Sequence, residues 1–498
     1  MHLPVRPTGA HAVTRPTSAR TDYRLTFAVL LAGVTSFSLL QSMTNPVLPT
    51  IQQALDTDQR TVTWVLTAYL LSASVFTPII GRIGDKVGKE RMLVVALGAL
   101  TLGSLLAALA PSIGLLIAAR VVQGLGGGVL PLTYGIIRDE FPREKVAGAI
   151  GTSAAMLAVG GGFGLVLAGP LVEALSYHWL FWLPMIITGV ATVAAARFVP
   201  ASPVRTAGRI NVLTAVMLST WLVCLLLGIS QGRVWGWTSP RTVGLLLAAV
   251  VVGALWVRTE SRSDAPLIDM TMMRIPAVWT TNAASLLVGF SLFSLFAFLP
   301  QFLQTPQSTG YGFGLSVTES GLVMLPQSIT LFVAGLLSGR MSARFGSKGV
   351  LVLGAGLSTI ALLGLTFVHA QLWQVLVSVV VMGFAIGLAF SAQANLVVQS
   401  VPAAQTGVAS GMNANIRTVG GAIGGAVLAS VVTAGARANG LPLESGYTQG
   451  FAVLAGASLL STVFALIVPA SPRARDAADL HTELASAGGG VLVPSAAR

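Results

Sequence analysis

Charged residues are scarce in this sequence. Only 9% of its 498 residues are Asp, Glu, Lys or Arg, whereas 54% are hydrophobic. A water-soluble surface needs roughly a quarter of its residues to be charged, so a chain of this composition must be solvated by lipid. The mean hydropathy of +0.80 agrees with this assignment. We therefore expect an all-α integral membrane protein.

Residues that carry chemistry are also few. The single cysteine, Cys224, lies in an apolar run, which excludes an internal disulfide and a zinc or iron–sulfur cluster. The sequence contains no Gly-x-x-x-x-Gly-Lys-Ser/Thr loop, so hydrolysis of ATP at a P-loop is excluded. The basic residues form no compact patch with interleaved aromatic residues, which disfavours nucleic acid. We expect no enzymatic activity, no cofactor, no metal site and no nucleic-acid partner.

Apolar runs of about 20 residues, the length that spans a bilayer, recur along the chain. The first begins near Leu25 and is too long for a cleavable signal sequence, so we expect it to remain as a membrane helix. The tails 1–24 and 471–498 lack hydrophobic periodicity and are predicted to be disordered. About fourteen helices are predicted, near 25–46, 61–80, 92–110, 113–137, 147–170, 179–198, 211–230, 241–257, 277–303, 319–339, 349–368, 372–398, 406–434 and 449–469.

The basic residues are distributed unequally between the two faces of this helix arrangement. Of the 29 Lys and Arg residues, 23 fall in segments that would share one face, four fall at the other, and two lie inside helices. The positive-inside rule assigns the richer face to the cytoplasm. The distribution therefore predicts an even number of helices, with both termini cytoplasmic.

An internal repeat is visible in the glycine pattern. VGGGFG at 159–164 corresponds to VGGAIG at 419–424 with an offset of 260 residues. GR at 81–82, followed by Gly88, corresponds to GR at 339–340, followed by Gly346, with an offset of 258. Repeats around a central cavity are typical of secondary transporters. We predict two six-helix bundles, 25–200 and 276–470, separated by two linker helices and their loops within 201–275.

The segment 81–93, GRIGDKVGKERML, carries six charged residues between two apolar runs. Its glycines Gly81, Gly84 and Gly88 predict sharp turns between helices. The segment resembles the loop signature of the major facilitator superfamily, Gly-x-Leu-Ala-Asp-Arg-x-Gly-Arg-Lys, between helices 2 and 3. Ile83, Gly84 and Glu90 depart from that signature. The matching positions are Gly81, Asp85, Lys86, Gly88 and Lys89.

The resemblance implies that these five residues form a conformational latch. In the superfamily the aspartate faces the positive N-terminal end of the penultimate helix, here near 405–407, and favours the outward-facing state. The alternative is a loop whose basic residues only set membrane orientation. The second copy of the segment has Ala343 where the first has Asp85. Orientation would not need this acid, so the difference favours a latch.

Arg120 lies inside a predicted helix, in the run RVVQGLGGG at 120–128. An unpaired cation within the membrane is costly, so this side chain must face the bundle interior or water. The matching arginine of the superfamily is associated with proton transfer, which makes Arg120 a proton-relay candidate. The alternative is an arginine that snorkels and pairs with backbone carbonyls.

The glycine-rich fifth helix resembles the antiporter signature of exporters, Gly-x-x-x-Gly-Pro-x-x-Gly-Gly. Gly160, Gly164 and Gly169 match, whereas Leu165 replaces the proline and Ala168 replaces a glycine. Small residues at this spacing also indicate close helix packing without any such function. With fourteen helices, the chain resembles the fourteen-helix drug:proton antiporter family over roughly 25–470.

None of the 17 acidic residues falls clearly within a predicted span, whereas neutral polar residues recur there. A carrier of organic cations usually places a carboxylate in its cavity, so this pattern favours neutral or anionic amphiphiles. Each amide taken singly is better explained by a hydrogen bond between helices. As a set they predict a polar substrate path: Gln41, Asn45, Gln123, Tyr134, Asn282, Gln301, Gln327, Gln393, Asn395, Asn413 and Arg417.

We expect a secondary active transporter, a monomer in the bacterial inner membrane, that exports amphiphilic drugs or a secondary metabolite in exchange for protons. Proton coupling follows from the resemblance, and Glu173, Glu319 or Asp139 could carry the proton. A facilitative or uptake carrier stays open, because Leu165 and Leu40 replace the proline and the aspartate of antiporter motifs. A non-transporting sensor or scaffold is the remaining alternative, although it would be expected to carry a folded soluble domain.

Overall fold

The computed structural model describes residues 23–44, 47–202, 211–263, 266–434 and 442–469. Over these ranges the regular structure is entirely helical, as the composition predicts. The predicted tails lie outside the described residues, except that Tyr23 and Arg24 begin the first helix. Asn45, one of the predicted substrate-path residues, also lies outside them.

The described residues form sixteen α-helices. They are α1 (Tyr23–Met43), α2 (Leu48–Ala54), α3 (Gln59–Val87), α4 (Lys89–Ala108), α5 (Ile113–Gln123), α6 (Val129–Glu140), α7 (Arg143–Ala174), α8 (Trp179–Phe198), α9 (Val212–Trp235), α10 (Pro240–Glu260), α11 (Met270–Met273), α12 (Pro276–Gln304), α13 (Val317–Phe367), α14 (Leu372–Ser400), α15 (Thr406–Thr433) and α16 (Glu444–Ile467). A 3₁₀ turn, Gly124–Gly128, joins α5 to α6, so these two helices form one span.

Thirteen spans of the described residues are long and apolar enough to cross a membrane. One of them, α13, has 51 residues. At 1.5 Å per residue it would be about 77 Å long, more than twice the hydrocarbon core of about 30 Å. Gly346 interrupts it with non-helical backbone at φ 73° and ψ 155°, so α13 consists of two spans. The described part of the chain therefore contains the fourteen spans that the apolar runs predict.

The segment 81–93 is more helical than its glycines predict. Only Gly88, with φ of 128°, leaves the helical region, between the end of α3 and the start of α4. Gly346 breaks α13 in the same way, at the position that corresponds to Gly88 in the repeat. The prediction of turns at Gly81 and Gly84 is wrong, because both lie within α3.

Close packing explains the two helical glycines of this segment. A Cβ atom on Gly81 would lie 2.6 Å from the carbonyl oxygen of Gly407 on α15. A Cβ atom on Gly84 would lie 2.3 Å from Cδ2 of Leu132 on α6. Gly81 therefore requires a residue without a side chain, because the atom that it meets belongs to the backbone. At Gly84 a side chain would require Leu132 to move.

Two large hydrophobic cores are buried in the described residues. The first, with Leu97 and Phe181 among its members, is built mainly from α1 to α8. The second, with Leu362 and Phe451, is built mainly from α12 to α16. Each core therefore belongs mainly to one copy of the internal repeat.

The two halves meet along two helix pairs, α3 with α15 and α7 with α13. In the first pair Gly81 lies against Gly407, and in the second a Cβ atom on Gly339 would lie 2.5 Å from Cα of Gly148. Gly339 repeats Gly81 at the offset of 258, so the internal repeat relates the two contacts. Both lie at the basic face of the protein, the membrane face at which α3 ends and α4 begins.

The two extra helices, α9 and α10, pack on each other, and α9 also packs against α3 and α15. Leu222 of α9 and Trp256 of α10 share a buried cluster with Met272, which precedes α12, and with Val408 of α15. The chain that returns from the extra helices is thus buried beside the start of α15.

Candidate functional site

A carboxylate of one half caps a helix of the other half. The side chain of Asp85 on α3 is fully buried. Its Oδ1 accepts the backbone N–H of Gly407 at 3.2 Å, and its Oδ2 accepts that of Val408 at 3.0 Å. The first amides of a helix lack partners within the helix and carry partial positive charge, which a carboxylate neutralises. Two charge-assisted hydrogen bonds therefore join α3 to the N-terminus of α15.

Lys89 brings a second carboxylate into this contact. Its fully buried ammonium lies 2.6 Å from Oδ2 of Asp139 and 3.7 Å from Oδ1 of Asp85. The hydroxyl of Ser202 donates to the same Asp139 oxygen at 2.6 Å. Gly135 makes room for the lysine, because a Cβ atom there would lie 2.6 Å from its Cδ. A buried cation between two carboxylates is well compensated, whereas loss of one partner leaves a charge unpaired.

The segment that returns from the extra helices is hydrogen-bonded to both sides of the contact. Arg82 of α3 donates to the Pro266 carbonyl at 3.0 Å, and Gln405 donates to Oδ2 of Asp269 at 3.3 Å. Burial by itself would raise the pKa of Asp269, but the hydrogen bonds from Thr271 and Gln405 outweigh it and hold this pKa below its usual range. The segment therefore spans the junction between α3 and α15.

The remaining charged residues of the segment 81–93 differ in their contacts. Glu90 accepts the backbone N–H of Ser202 at 3.0 Å and so anchors the chain that follows α8. Lys86 is half-buried, and no hydrogen bond or ion pair joins its side chain to a described residue. Another residue outside this segment also joins the halves. Arg138 of α6 donates to the hydroxyl of Thr406 at 2.8 Å.

Arg120 lies inside the first half rather than between the halves. Its side chain is fully buried, its Nε donates to the Val65 carbonyl at 3.1 Å, and one terminal nitrogen donates to Gln123 at 2.6 Å. Gln123 in turn donates to Ser104 at 3.0 Å. The guanidinium carbon lies 4.4 Å from the centre of the Tyr69 ring. Arg120 thus links α5 to α3 through neutral partners, including the backbone carbonyl that the alternative interpretation predicts.

The three glycines of the antiporter-like pattern have different surroundings. A Cβ atom on Gly160 would lie 2.5 Å from the carbonyl oxygen of Thr35, and one on Gly164 would lie 1.9 Å from the hydroxyl oxygen of Ser42. Both glycines therefore permit close packing of α7 on α1. A Cβ atom on Gly169 would meet no heavy atom within 4 Å, so the structure does not give Gly169 the packing role that the pattern predicts.

Three of the predicted substrate-path residues, Tyr134, Asn413 and Arg417, share one small cavity between the halves. Asn413 also donates to Asn282 at 2.8 Å, which joins α15 to α12. The Arg417 guanidinium carbon lies 4.3 Å from the centre of the Phe390 ring. Phe390 also lines the cavity, and the other lining residues are Leu130, Pro131, Leu157, Ala394, Val397, Ser410 and Ala414.

The other predicted path residues do not converge on this cavity. Gln41 and Gln301 are exposed near the ends of α1 and α12 that lie away from the basic face. Gln123 belongs to the Arg120 network within the first half. Gln327 and Gln393 are fully buried, and their amide groups have no hydrogen-bond partner among the described residues. Asn395 donates to the Ala147 carbonyl at 3.2 Å and so bonds α14 to α7.

The three acidic residues that could carry a proton lie in different settings. Asp139 is buried, with 1% of its side chain exposed, next to Lys89. Glu319 is exposed and takes part in a capping box with Ser316 at the start of α13. The side chain of Glu173 lies outside what the structure describes.

Sequence reasoning missed several members of the contact at the basic face. Arg138, Ser202 and Asp269 are brought to it by helices that are far apart in the chain. Asn415 extends the contact inward by donating to the Ser74 carbonyl at 2.6 Å. The sequence offers one usable indication, which is the charged pair Arg138–Asp139 at the end of a predicted helix.

Comparison with known proteins places this architecture in a family. The sequence profile of the Major Facilitator Superfamily matches residues 30–425, with a second match over 281–488. The chain belongs to the Major Facilitator Superfamily. It is therefore a multi-pass membrane transporter, and its substrate is a small molecule.

Several superfamily members with known names resemble the chain. The tetracenomycin C resistance and export protein of Streptomyces glaucescens is 29% identical over 408 residues, covering 81% of this chain and 74% of that protein. Multidrug resistance protein Stp of Mycobacterium tuberculosis is 30% identical over 393 residues, covering 78% and 72%. The multidrug efflux pump LfrA of Mycolicibacterium smegmatis is 27% identical over 432 residues, covering 85% and 84%.

Among solved structures, the human organic anion transporter MFSD10 has the same fold. The TM-score is 0.66 at 16% sequence identity, and the match covers 89% of this chain and 99% of that one. The two chains thus share a fold at low sequence identity.

Proposed function

We propose that this transporter exports amphiphilic small molecules, either drugs or a secondary metabolite, in exchange for protons. The observation that carries the proposal is the similarity over most of the chain to an antibiotic export protein and to two multidrug resistance proteins. The antiporter-like glycines add support, because Gly160 and Gly164 seat α7 tightly against α1.

The charge distribution supports an orientation with the basic face and both termini in the cytoplasm of a bacterial inner membrane. One chain contains both halves and the cavity between them, so a monomer would provide a complete path. Under this orientation, the Asp85 contact closes the cytoplasmic side of the path. The closed region extends inward from the contact of Gly81 with Gly407 to the hydrogen bond between Asn415 and Ser74. At a rise of 1.5 Å per residue along the helices, it is about 11 Å thick.

We assign the latch role to Asp85, together with Gly81, Gly88 and Lys89. While Asp85 caps α15, the carrier is closed to the cytoplasm and faces outward. The exposed amides of Gln41 and Gln301 on the far side support a water-filled vestibule there, since such groups are costly against lipid. Opening to the cytoplasm then requires the cap to break and α3 to move away from α15.

Of the two candidate proton carriers whose side chains the structure describes, Asp139 is better placed than Glu319. It is buried, and it shares Lys89 with Asp85. Protonation of Asp139 would remove one of the two negative charges that compensate Lys89 and would draw the lysine towards Asp85. A proton at Asp139 would thereby change the strength of the contact between the halves. This link gives proton binding a direct effect on the conformational equilibrium.

Arg120 remains a candidate for proton transfer through its position in the first half. Its neutral partners hold the guanidinium rigidly between α3 and α5, so we assign it first a positioning role for α3. A relay role would require more: a substitution of Arg120 that leaves the stability of the protein intact should still slow the proton flux.

Transport in proteoliposomes tests the proposal. A fluorescent amphiphile is loaded under an imposed pH gradient, and substrate flux and proton flux are recorded together. We expect proton-driven accumulation that falls by about tenfold in Asp85→Asn, a loss of the order that one charge-assisted hydrogen bond provides. Glu144→Gln, at an exposed carboxylate near the start of α7, is the matched carboxylate-to-amide control and should leave the flux unchanged. Accumulation that persists after the gradient collapses would indicate a facilitative carrier and refute proton-driven export.

A further inference from the structure

The small cavity between the halves lies inward from the Asp85 contact. It is bounded by α6 and α7 of the first half and by α14 and α15 of the second. In this conformation its free space holds about one water molecule. A small space between the halves thus remains in the conformation that is closed at the basic face.

Of the described residues that line this cavity, Arg417 alone carries a charge. The ion pairs among the described residues involve Lys89, Arg91 and His369, and none includes Arg417. The ring of Phe390 provides a cation–π contact at 4.3 Å. Such a contact offsets only part of the cost of a cation placed in the middle of a membrane span. The site therefore has an uncompensated positive charge.

The internal repeat shows that the fold does not need this charge. Arg417 corresponds to Leu157 at the offset of 260, and both residues line the cavity. Their backbones are packed in similar ways. The Leu157 carbonyl accepts a hydrogen bond from Ser38 of α1, and the Arg417 carbonyl lies against Gly289 of α12. A leucine satisfies the packing in one half, so the arginine in the other half has a different purpose.

The remaining lining residues define the kind of ligand. The wall contributed by the first half is apolar except for Tyr134, and Phe390 offers an aromatic face in the second. The hydroxyl of Ser410 is buried without a hydrogen-bond partner among the described residues and can donate to a ligand. No lining residue is acidic, which disfavours organic cations.

The geometry points to a binding site for an anionic aromatic amphiphile, whose carboxylate or comparable acid group pairs with Arg417. The closed conformation has room for only about one water molecule here, so the cavity must widen to admit the acid group. The aromatic body would occupy the space that opens between the halves as α3 leaves α15, so this inference rests on the proposed alternating-access transport.

Equilibrium binding tests the site without any need for turnover. The full chain in lipid nanodiscs is titrated with 9-anthracenecarboxylate and with 9-anthracenecarboxamide, a neutral amide of the same shape. We expect the carboxylate to bind about tenfold more tightly than the amide, as one charge-assisted pair would provide. In Arg417→Gln the two ligands should bind equally, with the affinity for the amide unchanged. Arg344→Gln, which removes an exposed arginine of the same half that does not line the cavity, should retain the preference.

Equal binding of the two probes by the wild-type protein would refute the site, as would a preference that survives in Arg417→Gln. If Arg417→Gln does not fold, Arg417→Lys decides, because it keeps the charge without the planar fork. The proposal then requires a reduced but measurable preference for the carboxylate, of about threefold. Equal binding by folded Arg417→Lys would refute it.

The failure of this site and the failure of the proposed export are distinguishable. A carboxylate preference that depends on Arg417, in a protein that moves neither probe under a proton gradient, leaves the site intact and refutes proton-driven export. Proton-driven transport of probes, with an unchanged preference in Arg417→Gln, refutes the site and leaves export intact.

Discussion

Asp85 and Gly407 are 322 residues apart in the chain, yet the carboxylate of the first accepts the backbone N–H of the second at 3.2 Å. Two glycines, Gly81 and Gly407, allow the backbones to come close enough for this hydrogen bond. A Cβ atom on Gly407 would lie 3.0 Å from Oδ1 of Asp85 and 2.8 Å from the Gly81 carbonyl oxygen. The charge and the close backbone approach occur together at this contact. The second copy keeps the close approach, of Gly339 to Gly148, but has Ala343 in place of the acid.

Replacing Asp85 by asparagine should shift the carrier towards a conformation that is open at the basic face. The amide keeps an oxygen acceptor but loses the negative charge that opposes the α15 N-terminus and Lys89, at a cost of about 1.5–3 kcal/mol. In a Cys224→Ala background, a cysteine placed at Ser410 should react with a thiol reagent about tenfold faster after the change. A rate unaffected by Asp85→Asn, with Glu144→Gln as the matched control, would contradict a latch.

Alanine substitutions at two glycines of α7 should differ in their effect on stability. Gly160→Ala places a Cβ atom 2.5 Å from the Thr35 carbonyl oxygen and should destabilise the protein by about 1–3 kcal/mol. Gly169→Ala meets no atom within 4 Å and should be neutral or stabilising, because alanine favours the helix by about 1 kcal/mol. Thermal unfolding in detergent measures both. Equal effects at the two positions would refute the packing that we describe.

Arg120→Lys should lower both stability and transport, although it preserves the charge. The guanidinium bonds in two directions, to the Val65 carbonyl and to Gln123, and a lysine cannot reproduce this fork. Tyr69→Phe is the informative companion, because it keeps the ring under the guanidinium. It also removes a buried hydroxyl that has no hydrogen-bond partner among the described residues.

We therefore expect Tyr69→Phe to be neutral or slightly stabilising in thermal unfolding. A parallel loss of stability and transport in Arg120→Lys indicates a positioning role. Intact stability with slowed proton flux supports the relay instead.

The Asp269 substitution should make stability depend on pH in a defined direction. Because hydrogen bonds hold the folded-state pKa of Asp269 below its unfolded value of about 3.9, ionised Asp269 stabilises the protein at neutral pH. This contribution is lost as the pH falls through the folded-state pKa. Asp269→Asn should therefore melt at a lower temperature than the wild type at pH 7, and the difference should narrow below about pH 3.9. A difference that stays constant across this range would show that the charge of Asp269 is not involved.

Much of the fold was predictable because membrane helices are determined locally. A bilayer satisfies only chains whose backbone polar groups are paired within the segment, so apolar length suffices to predict a span. The break at Gly346 was predictable from its correspondence with Gly88, since a helix cannot continue through a glycine at positive φ. The turns expected at Gly81 and Gly84 were wrong, because a glycine that allows close packing and one that allows a turn look identical in sequence.

The site was less predictable, because its members come from distant parts of the chain. Gln123 and Arg417 look alike as polar residues within apolar runs. The first bonds within its own half, and the second lines the cavity between the halves. Which face of a helix meets a neighbour depends on how the helices pack, and local sequence does not contain that information.

Composition, the length of the apolar runs and the spacing of the glycines by themselves determined that this chain is a fourteen-span membrane protein built from two related halves. Only the tertiary structure decided which charges meet. Asp85, Lys89 and Asp139 compensate one another because three helices converge at the basic face, and Arg417 lacks an acidic partner among the described residues because none is brought to it. Electrostatic attraction between buried groups depends on distances of a few ångströms, and the folded arrangement of the helices sets those distances.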